Sequence, residues 1–185
     1  MPAAGPADLS MQAVAREAKA SMETLYRWYG DKTGLYAALV ADNAVQIEAA
    51  LIEAMAADPV AMLEDIGERL FDMVTSERAV ALNRAAAADP SGVLGAAFSQ
   101  RGRARIVPHL ALVLAQISSA PPPELAGVFI DLLLGDIQIR RATGSAPVPS
   151  KGTGRTRATR AVAHLRQLYA GAEADPGLAG APPSR

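Results

Sequence analysis

The sequence predicts an all-α fold in which a helix-turn-helix near the N-terminus is followed by a larger helical bundle. Alanine is very frequent and aromatic residues make up only 4% of the chain; alanine loses no side-chain entropy when a helix forms. Apolar residues recur at helical spacing in the long segments, and no segment alternates as a strand would. Serine, aspartate, proline and glycine stand where helices are expected to begin and end.

Composition excludes several classes of function. Half of the 185 residues are apolar, enough for a small domain and a larger one. The net charge of -1 creates no global field toward nucleic acid or membranes. The absence of cysteine excludes disulfides, thiolate catalysis and cysteine-ligated zinc. Residues 1–10 show no signal-peptide pattern, and no apolar stretch is long enough to span a bilayer, so we expect a cytoplasmic protein without a membrane partner.

The first three predicted helices follow from their end signals. Ser10 and Ser21 are suitable N-cap residues, Gly30 suits a helix C-terminus, and the charge of Asp31 complements a helix start. Lys19-Ala20 is the tight connection between the first two helices. The predicted helices are Met11 to Ala18, Met22 to Tyr29, and a long one from Asp31 to about Ala57.

The remaining helices are separated by proline-containing breaks, Asp58-Pro59, Asp89-Pro90 and Pro121 to Pro123. Gly144 to Gly154 is predicted to be a mobile linker and residues 173–185 a disordered tail. The predicted helices are Val60 to Ser76, Glu77 to Ala88, Ser91 to Gln100, Arg103 to Ser118 with a bend at Pro108, Glu124 to Thr143, and Arg155 to Ala170.

Two short capped helices followed by a third are typical of a DNA-binding helix-turn-helix. The segment from Ser10 to Tyr36 resembles the signature of the TetR family of transcriptional regulators. The matching pieces are Val14-Ala15, Ser21, Thr24-Leu25-Tyr26, Tyr29, and Lys32 before Leu35-Tyr36. The resemblance implies a dimeric regulator that binds a palindromic operator in double-stranded DNA.

The side chains of this segment have distinct expected roles. Met22, Glu23 and Thr24 open the recognition helix, where side chains reach base edges. Tyr26, Trp28 and Lys32 should lie at the phosphate backbone, where Ser10 adds a further bond. The predicted DNA-binding set is Ser10, Ser21, Met22, Glu23, Thr24, Tyr26, Arg27, Trp28 and Lys32, and the predicted shared core is Val14, Ala18, Leu25, Tyr29 and Leu35.

Two departures from the family pattern weigh against DNA binding. The family has a full helix before this unit, whereas Pro2, Gly5 and Pro6 argue against a helix in the preceding residues. We therefore expect a three-helix unit that lacks its usual first helix, either because the true start lies upstream or because the chain has lost that helix. The family also usually has glycine in the turn, where this chain has Lys19. A left-handed backbone there costs roughly 1 kcal/mol or more in a non-glycine residue.

The second half resembles the C-terminal domain of AefR-like TetR proteins, most clearly from Leu132 to Arg141 and at Leu168-Tyr169-Ala170, with a weaker match from Ser76 to Arg84. This resemblance implies a ligand-sensing and dimerisation domain over residues 47–172, after a DNA-binding domain over 1–46. The expected dimer-interface residues are Leu125, Phe129, Leu132, Leu133, Val162, Leu165 and Leu168. The expected pocket for a small apolar effector is lined by Phe71, Met73, Arg84, Phe98, His109, Leu110 and Leu114.

Other interpretations remain open at this stage. Tyr26 and Trp28 are also consistent with ordinary surface aromatics, the pocket and interface residues with plain core, and the basic residues from Lys151 to Arg166 with a solvated helix face. A dimeric small-molecule-binding protein that has lost DNA binding is the alternative function. No glycine-rich phosphate loop, activated nucleophile or metal motif supports an enzyme, and we expect no cofactor. We also expect no metal site, since His109 and His164 lack a third ligand.

Overall fold

A computed structural model describes residues 11–53, 58–118 and 121–170, and in these ranges the chain is helical without strands. The helices are α1 (Met11–Glu17), α2 (Met22–Tyr29), α3 (Lys32–Glu53), α4 (Pro59–Thr75), α5 (Glu77–Ala87), α6 (Val93–Phe98), α7 (Ala104–Leu114), α8 (Pro122–Leu134), α9 (Ile137–Ala142) and α10 (Thr153–Ala170). The predicted tail and Ser10 lie outside the described residues. The predicted domain boundary at 46/47 falls inside α3, which runs through both parts.

Capping bonds confirm the predicted starts of four helices, α2 to α5. The Ser21 hydroxyl accepts the Thr24 N–H at 3.0 Å, and an Asp31 carboxylate oxygen accepts the Gly34 N–H at 2.8 Å. Asp58 caps α4 in the same way, with proline at the first helical position, where its missing N–H costs nothing. Ser76 separates α4 from α5 and caps the latter through the Ala79 N–H.

The main core lies between α4, α7, α8 and α10, with α4 packed closely on α10. Gly67 makes this close approach possible, because a Cβ at that position would lie 2.8 Å from the Ala158 Cβ. Phe71 and Phe129 are fully buried in the same core. The N-terminal helices pack against this bundle.

Of two smaller clusters, one holds the N-terminal helices together and the other joins them to the bundle. Met11, Ala15, Leu25 and Leu35 are buried together between α1, α2 and α3. Val14 and Tyr29 are partly buried against them, as predicted, whereas Ala18 is exposed and the expectation that it is core was wrong. A second cluster joins α3 to α5 and α6 through residues Tyr36, Val40, Leu82, Ala85 and Leu94.

The predicted single helix from Glu124 to Thr143 is in fact two helices, and the expectation of a continuous helix was wrong. Gly135 has a φ of 52°, a left-handed conformation that ends α8. The Arg157 guanidinium on α10 donates to the Leu133 and Leu134 carbonyls at 2.8 and 3.0 Å. It therefore satisfies carbonyl groups left free at the end of α8.

The predicted gap between Gln100 and Arg103 is absent. A π-helical turn, Ser99–Arg103, joins α6 directly to α7, so the chain stays helical from Val93 to Leu114. Pro108 lies inside α7. Such π-helical turns are rare and often occur at functional sites.

The predicted linker packs back on the bundle. Ala146 is buried, and its carbonyl accepts an N–H of the Arg141 guanidinium at 3.3 Å. The same guanidinium, itself buried, also donates to the Thr75 carbonyl at 3.3 Å and pairs with Glu77 at 2.5 Å. Arg141 thus connects the end of α4, the start of α5 and the linker, and α10 begins at Thr153, two residues before its predicted start.

Candidate nucleic-acid interface

The turn between α1 and α2 is a left-handed helix cap. Lys19 has a φ of 51°, its N–H donates to the Arg16 carbonyl at 3.3 Å, and the Ala20 N–H donates to the Ala15 carbonyl at 2.9 Å. This pair of bonds defines a Schellman motif, in which the left-handed position usually holds glycine. The left-handed backbone expected at Lys19 is therefore present. It is strained, because lysine has a Cβ and glycine does not.

The α2 helix presents two distinct faces. Leu25 is 2% exposed and anchors the helix against α1 and α3, whereas Tyr26 is 52% and Trp28 63% exposed. The Trp28 ring meets the Tyr29 ring edge-on, with centroids 6.4 Å apart. Large aromatic rings that extend outward beside a buried anchor give α2 an amphipathic surface suited to contact with another molecule.

The first turn of α2 is organised around its cap. The Ser21 and Thr24 hydroxyl oxygens lie 2.9 Å apart, within hydrogen-bonding distance of each other. Glu23 is exposed, while Met22 and Thr24 are partly buried. The Thr24 hydroxyl is therefore engaged with the cap.

The junction between α2 and α3 is unusually tight. Gly30 has φ 77° and ψ -64°, and the Asp31 N–H donates to the Tyr29 carbonyl at 3.0 Å, which together make a γ-turn of the strained, positive-φ kind. A Cβ at Gly34 would lie only 1.9 Å from the Tyr29 carbonyl oxygen. Two glycines therefore fix how α2 projects from α3.

The predicted DNA-binding residues in the described range all lie on or beside α2. Arg27 and Lys32 are exposed, and Lys32 is the first residue of α3. Between residues 16 and 32, four cations (Arg16, Lys19, Arg27, Lys32) stand against three carboxylates (Glu17, Glu23, Asp31). Because this local charge balance is only +1, the placement of each cation matters more than the sum.

A cavity of about 120 Å³ lies where α3 meets the larger bundle. Its lining is mostly apolar, with Asn43, Arg103 and Gln138 as the polar side chains. The helices α3 to α9 and the π-helical turn all contribute, through Val40, Asn43, Ala44, Leu70, Met73, Val74, Ala79, Phe98, Gly102, Arg103, Ile106, Ile130, Leu134 and Gln138.

Two of the seven predicted pocket residues, Met73 and Phe98, line this cavity. The structure places Phe71, Leu110 and Leu114 in the main core at 0% exposure. Arg84 donates to the Arg141 and Ala142 carbonyls, which holds α5 to α9, and His109 is absent from the lining. Helical spacing could not distinguish the cavity from the core, because both are apolar.

The predicted dimer-interface residues divide into a buried group and an exposed group. Leu125, Phe129, Leu133, Val162 and Leu165 are at most 2% exposed within one chain, so their side chains already have intramolecular partners. Leu132 is partly exposed and Leu168 is 60% exposed. Of the seven predicted interface residues, these two retain exposed surface within one chain.

Sequence reasoning missed the glycine at position 34 and the α3 side chains of the cavity. A glycine in the first turn of a helix is the signal that could have revealed Gly34, because it is costly there unless a close approach requires it. Among the described residues, no helix is long and apolar enough to cross a membrane. The same residues contain no group of three or more potential metal ligands.

Comparison with known proteins finds a matching family and solved structures with a similar fold. Residues 61–171 match the family described as AefR-like transcriptional repressor, C-terminal domain. A regulator assigned to the TetR family from Mesorhizobium loti has 24% identity and a TM-score of 0.70, with 86% of each chain covered. A TetR transcriptional regulator from Agrobacterium tumefaciens has 25% identity and a TM-score of 0.65, covering 87% of this chain and 84% of that one.

A third solved structure, the flavonoid-responsive regulator FrrA, has 20% identity and a TM-score of 0.59, covering 86% of this chain and 85% of that one. No protein with a curated description matches the chain significantly. The solved structures confirm the predicted all-helical fold class.

Proposed function

Because the chain belongs to the TetR family of transcriptional regulators, with an AefR-like C-terminal domain, we propose that it binds a palindromic operator in double-stranded DNA as a homodimer. On this proposal it is a cytoplasmic repressor that a small apolar effector releases from DNA. The N-terminal helices α1 to α3 read the DNA, and the larger bundle senses the effector and dimerises.

The observation that carries the proposal is the exposed face of α2. Tyr26 and Trp28 are more than half exposed while Leu25 fixes the helix from behind. The phenol and the indole N–H can donate to phosphate oxygens, and Lys32 adds a cation at a helix start, where backbone N–H groups also attract an anion. Such contacts position the helix in the major groove.

Base contacts come from the leading end of α2. The exposed Glu23 carboxylate can accept from cytosine N4, and Met22 or the Thr24 methyl can contact a thymine methyl. Arg27 is exposed on the same helix and adds a phosphate or guanine contact. Ser10, which lies outside the described residues, is retained from the family resemblance as a phosphate contact.

The dimer surface proposed here is the outer face of α8 and α10. Val128 and Leu132 lie one helical turn apart on α8 and are partly exposed, and Leu168 is exposed on α10. A two-fold axis through this face would pair each helix with its own copy, as in isologous dimers.

The effector site proposed here is the cavity between α3 and the bundle. A space of about 120 Å³ is close to the size of an engineered apolar cavity that accepts benzene, roughly 150 Å³. A larger effector requires the lining to move, and the π-helical turn at Gly102 and Arg103 is part of that lining. An effector that prefers the displaced lining shifts the population toward a conformation with another spacing of the α2 helices.

The test is selection of bound fragments from genomic DNA, followed by gel-shift assays of the selected duplex over a range of salt concentrations. We expect selective binding that weakens in Tyr26→Phe and in Lys32→Ala, with a shallower salt dependence only for Lys32→Ala. The matched controls are Tyr169→Phe, whose hydroxyl bonds Glu124 of the same chain, and Lys151→Ala, an exposed lysine before α10; both should leave binding unchanged. Equal affinity for selected and random DNA would instead favour a small-molecule-binding protein that no longer recognises an operator. The left-handed backbone at Lys19, a departure from the family pattern, is consistent with that alternative.

The dimer is tested separately by light scattering after size-exclusion chromatography. We expect Leu132→Glu on α8 to yield monomers, because it places a charge in a face that dimerisation would desolvate. Leu112→Glu is the matched control, because Leu112 is 64% exposed on α7, away from the proposed surface. If Leu132→Glu remained dimeric, the α8–α10 surface would be the wrong assignment.

A further inference from the structure

An open groove separates the start of α3 from the turn between α5 and α6. Lys32 and Thr33 line it on the α3 side, and Ala85, Asp89, Pro90 and Leu94 are among the residues that line the other side. The groove thus lies between the DNA-reading helices and the sensing bundle. Lys32 and Asp89 are the charged residues of its lining.

The Asp89 carboxylate is held in place by the turn that it caps. One of its oxygens accepts the Leu94 N–H at 2.8 Å, and the other accepts the Ser91 N–H at 3.1 Å and the Ser91 hydroxyl at 2.7 Å. The bonds from Leu94 and Ser91 lower the pKa of Asp89, and the charge of Lys32 lowers it further. The carboxylate is therefore a fixed anion that remains ionised at neutral pH.

The Lys32 ammonium, in contrast, can approach either the Asp89 carboxylate or a DNA phosphate. Its side chain is exposed at the first position of α3, and a lysine stem has four rotatable methylenes. The neighbouring carboxylate of Asp31 accepts the Gly34 N–H at the start of α3, and Asp31 is not among the residues that line the groove. Asp89 is thus the anion on the opposite wall of the groove toward which Lys32 can turn.

We propose that Asp89 competes with the DNA backbone for Lys32, so that the sensing bundle sets how strongly the DNA-reading helices hold phosphate. This proposal rests on the proposed function, in which Lys32 contacts phosphate. When the α5–α6 turn lies close to α3, Asp89 offsets the charge of Lys32. When the turn moves away, the full charge is offered to DNA.

The arrangement of helices makes this competition responsive to the effector site. The α5 and α6 helices flank the Asp89 turn, and both also line the cavity, through Ala79 and Phe98. Val40 contributes the α3 side of the same cavity. A ligand that separates these helices therefore changes the distance between Asp89 and Lys32 as well as the projection of α2.

The test is a double-mutant cycle with Asp89→Asn and Lys32→Ala. Asparagine is also a good capping residue, so Asp89→Asn removes the charge and keeps one accepting oxygen, for either the Leu94 N–H or the Ser91 donors. Because phosphate contacts are independent of sequence, a fluorescein-labelled duplex of mixed sequence serves as the probe, and anisotropy at low salt gives Kd. We expect Asp89→Asn to tighten binding about two- to fivefold, the range that exposed ion pairs span, and to steepen the salt dependence.

The control is Glu17→Gln, which removes one exposed carboxylate from the DNA-reading helices themselves. In the Lys32→Ala background, Asp89→Asn should change Kd no more than Glu17→Gln does. If Asp89→Asn tightened binding equally with and without Lys32, a general charge effect would explain it and the competition would be refuted, while DNA binding itself would stand.

The pairing is also measured without DNA. The NMR chemical shift of the Asp89 carboxyl carbon gives its pKa, and we expect this pKa to rise in Lys32→Ala because the favourable charge is removed. An unchanged pKa would overturn the competition whatever the DNA assays show. Absence of DNA binding in every variant would overturn the proposed function, and with it the competition.

Discussion

The close approach of α2 and α3 at Gly34 predicts that one methyl group will displace the recognition helix. In Gly34→Ala, the new Cβ would lie 1.9 Å from the Tyr29 carbonyl oxygen, whereas real Cβ contacts essentially never fall below 3.0 Å. The two backbones must therefore separate by 3.0 − 1.9 = 1.1 Å. Overpacking of this kind typically costs about 1–3 kcal/mol, and here neither partner is a flexible side chain that could give way.

A displacement of this size moves α2 out of hydrogen-bonding range of the phosphates that it contacts, since such bonds tolerate only a few tenths of an ångström. The loss of about 1 kcal/mol of net hydrogen bonding per protomer, or about 2 kcal/mol per dimer, weakens binding about 30-fold. Gel shift of the selected operator fragment measures Kd directly. Circular dichroism and size-exclusion chromatography check that folding and dimerisation are retained.

The matched control is Gly95→Ala in α6, where an added Cβ meets no atom within 4 Å. Alanine is the better helix former, so this variant should keep DNA affinity and gain up to about 1 kcal/mol of stability. If Gly34→Ala bound DNA as tightly as Gly95→Ala, the projection of α2 from α3 would not be set by this contact, and the reasoning would be refuted.

Three further predictions concern strain, burial and ionisation. Lys19→Gly should relieve the left-handed strain by about 1 kcal/mol and slow amide exchange of Ala20 about fivefold; faster exchange would contradict the strain. Arg141→Met should lose about 3 kcal/mol in urea unfolding because it leaves buried carbonyls without a donor, whereas the exposed Arg140→Met should change stability by less than about 0.5 kcal/mol. Burial raises the pKa of Tyr36 from 10.0 to about 12, so the unfolded chain releases this proton first and the free energy of unfolding should fall as pH rises from 10 to 12, by up to about 2 kcal/mol. In Tyr36→Phe this decline should be smaller, and an equal decline in both proteins would assign it to other groups.

The helix starts could be predicted from the sequence because their signals are local. A cap such as Ser21 and its bonded N–H lie within one turn, so four residues contain the whole interaction. The family signature could be found for a similar reason, because it depends on residue types at short spacing. These signals gave the position of α2 and its exposed aromatic residues before any tertiary contact was known.

The break at Gly135 and the composition of the cavity could not be predicted in this way. The apolar run continues on both sides of Gly135, and the Arg157 guanidinium that satisfies the end of α8 comes from a helix more than twenty residues later in the chain. Phe98 lines the cavity while Leu110 is core, although both recur at helical spacing. Only the packing of α3 against the bundle separates the two roles.

The same packing determines how an effector bound in the cavity would affect the DNA-reading end of the molecule. Tyr36, at 0% exposure, donates its hydroxyl to the Leu82 carbonyl at 3.0 Å, while the Arg78–Asp42 pair further along α3 is exposed on both sides. Because exposed pairs contribute little, α3 is attached to α5 more firmly at Tyr36 than at the Arg78–Asp42 pair.

Lys32 lies four residues before Tyr36, about 6 Å along the axis, and Ala44 in the cavity wall lies eight residues after it, about 12 Å. For a rotation of α3 about Tyr36, displacement of its cavity end moves the DNA-reading end in the opposite direction by about half as much. On the proposed mechanism, a shift of about 2 Å in the cavity wall would move α2 by about 1 Å, the scale at which hydrogen bonds to phosphate are lost.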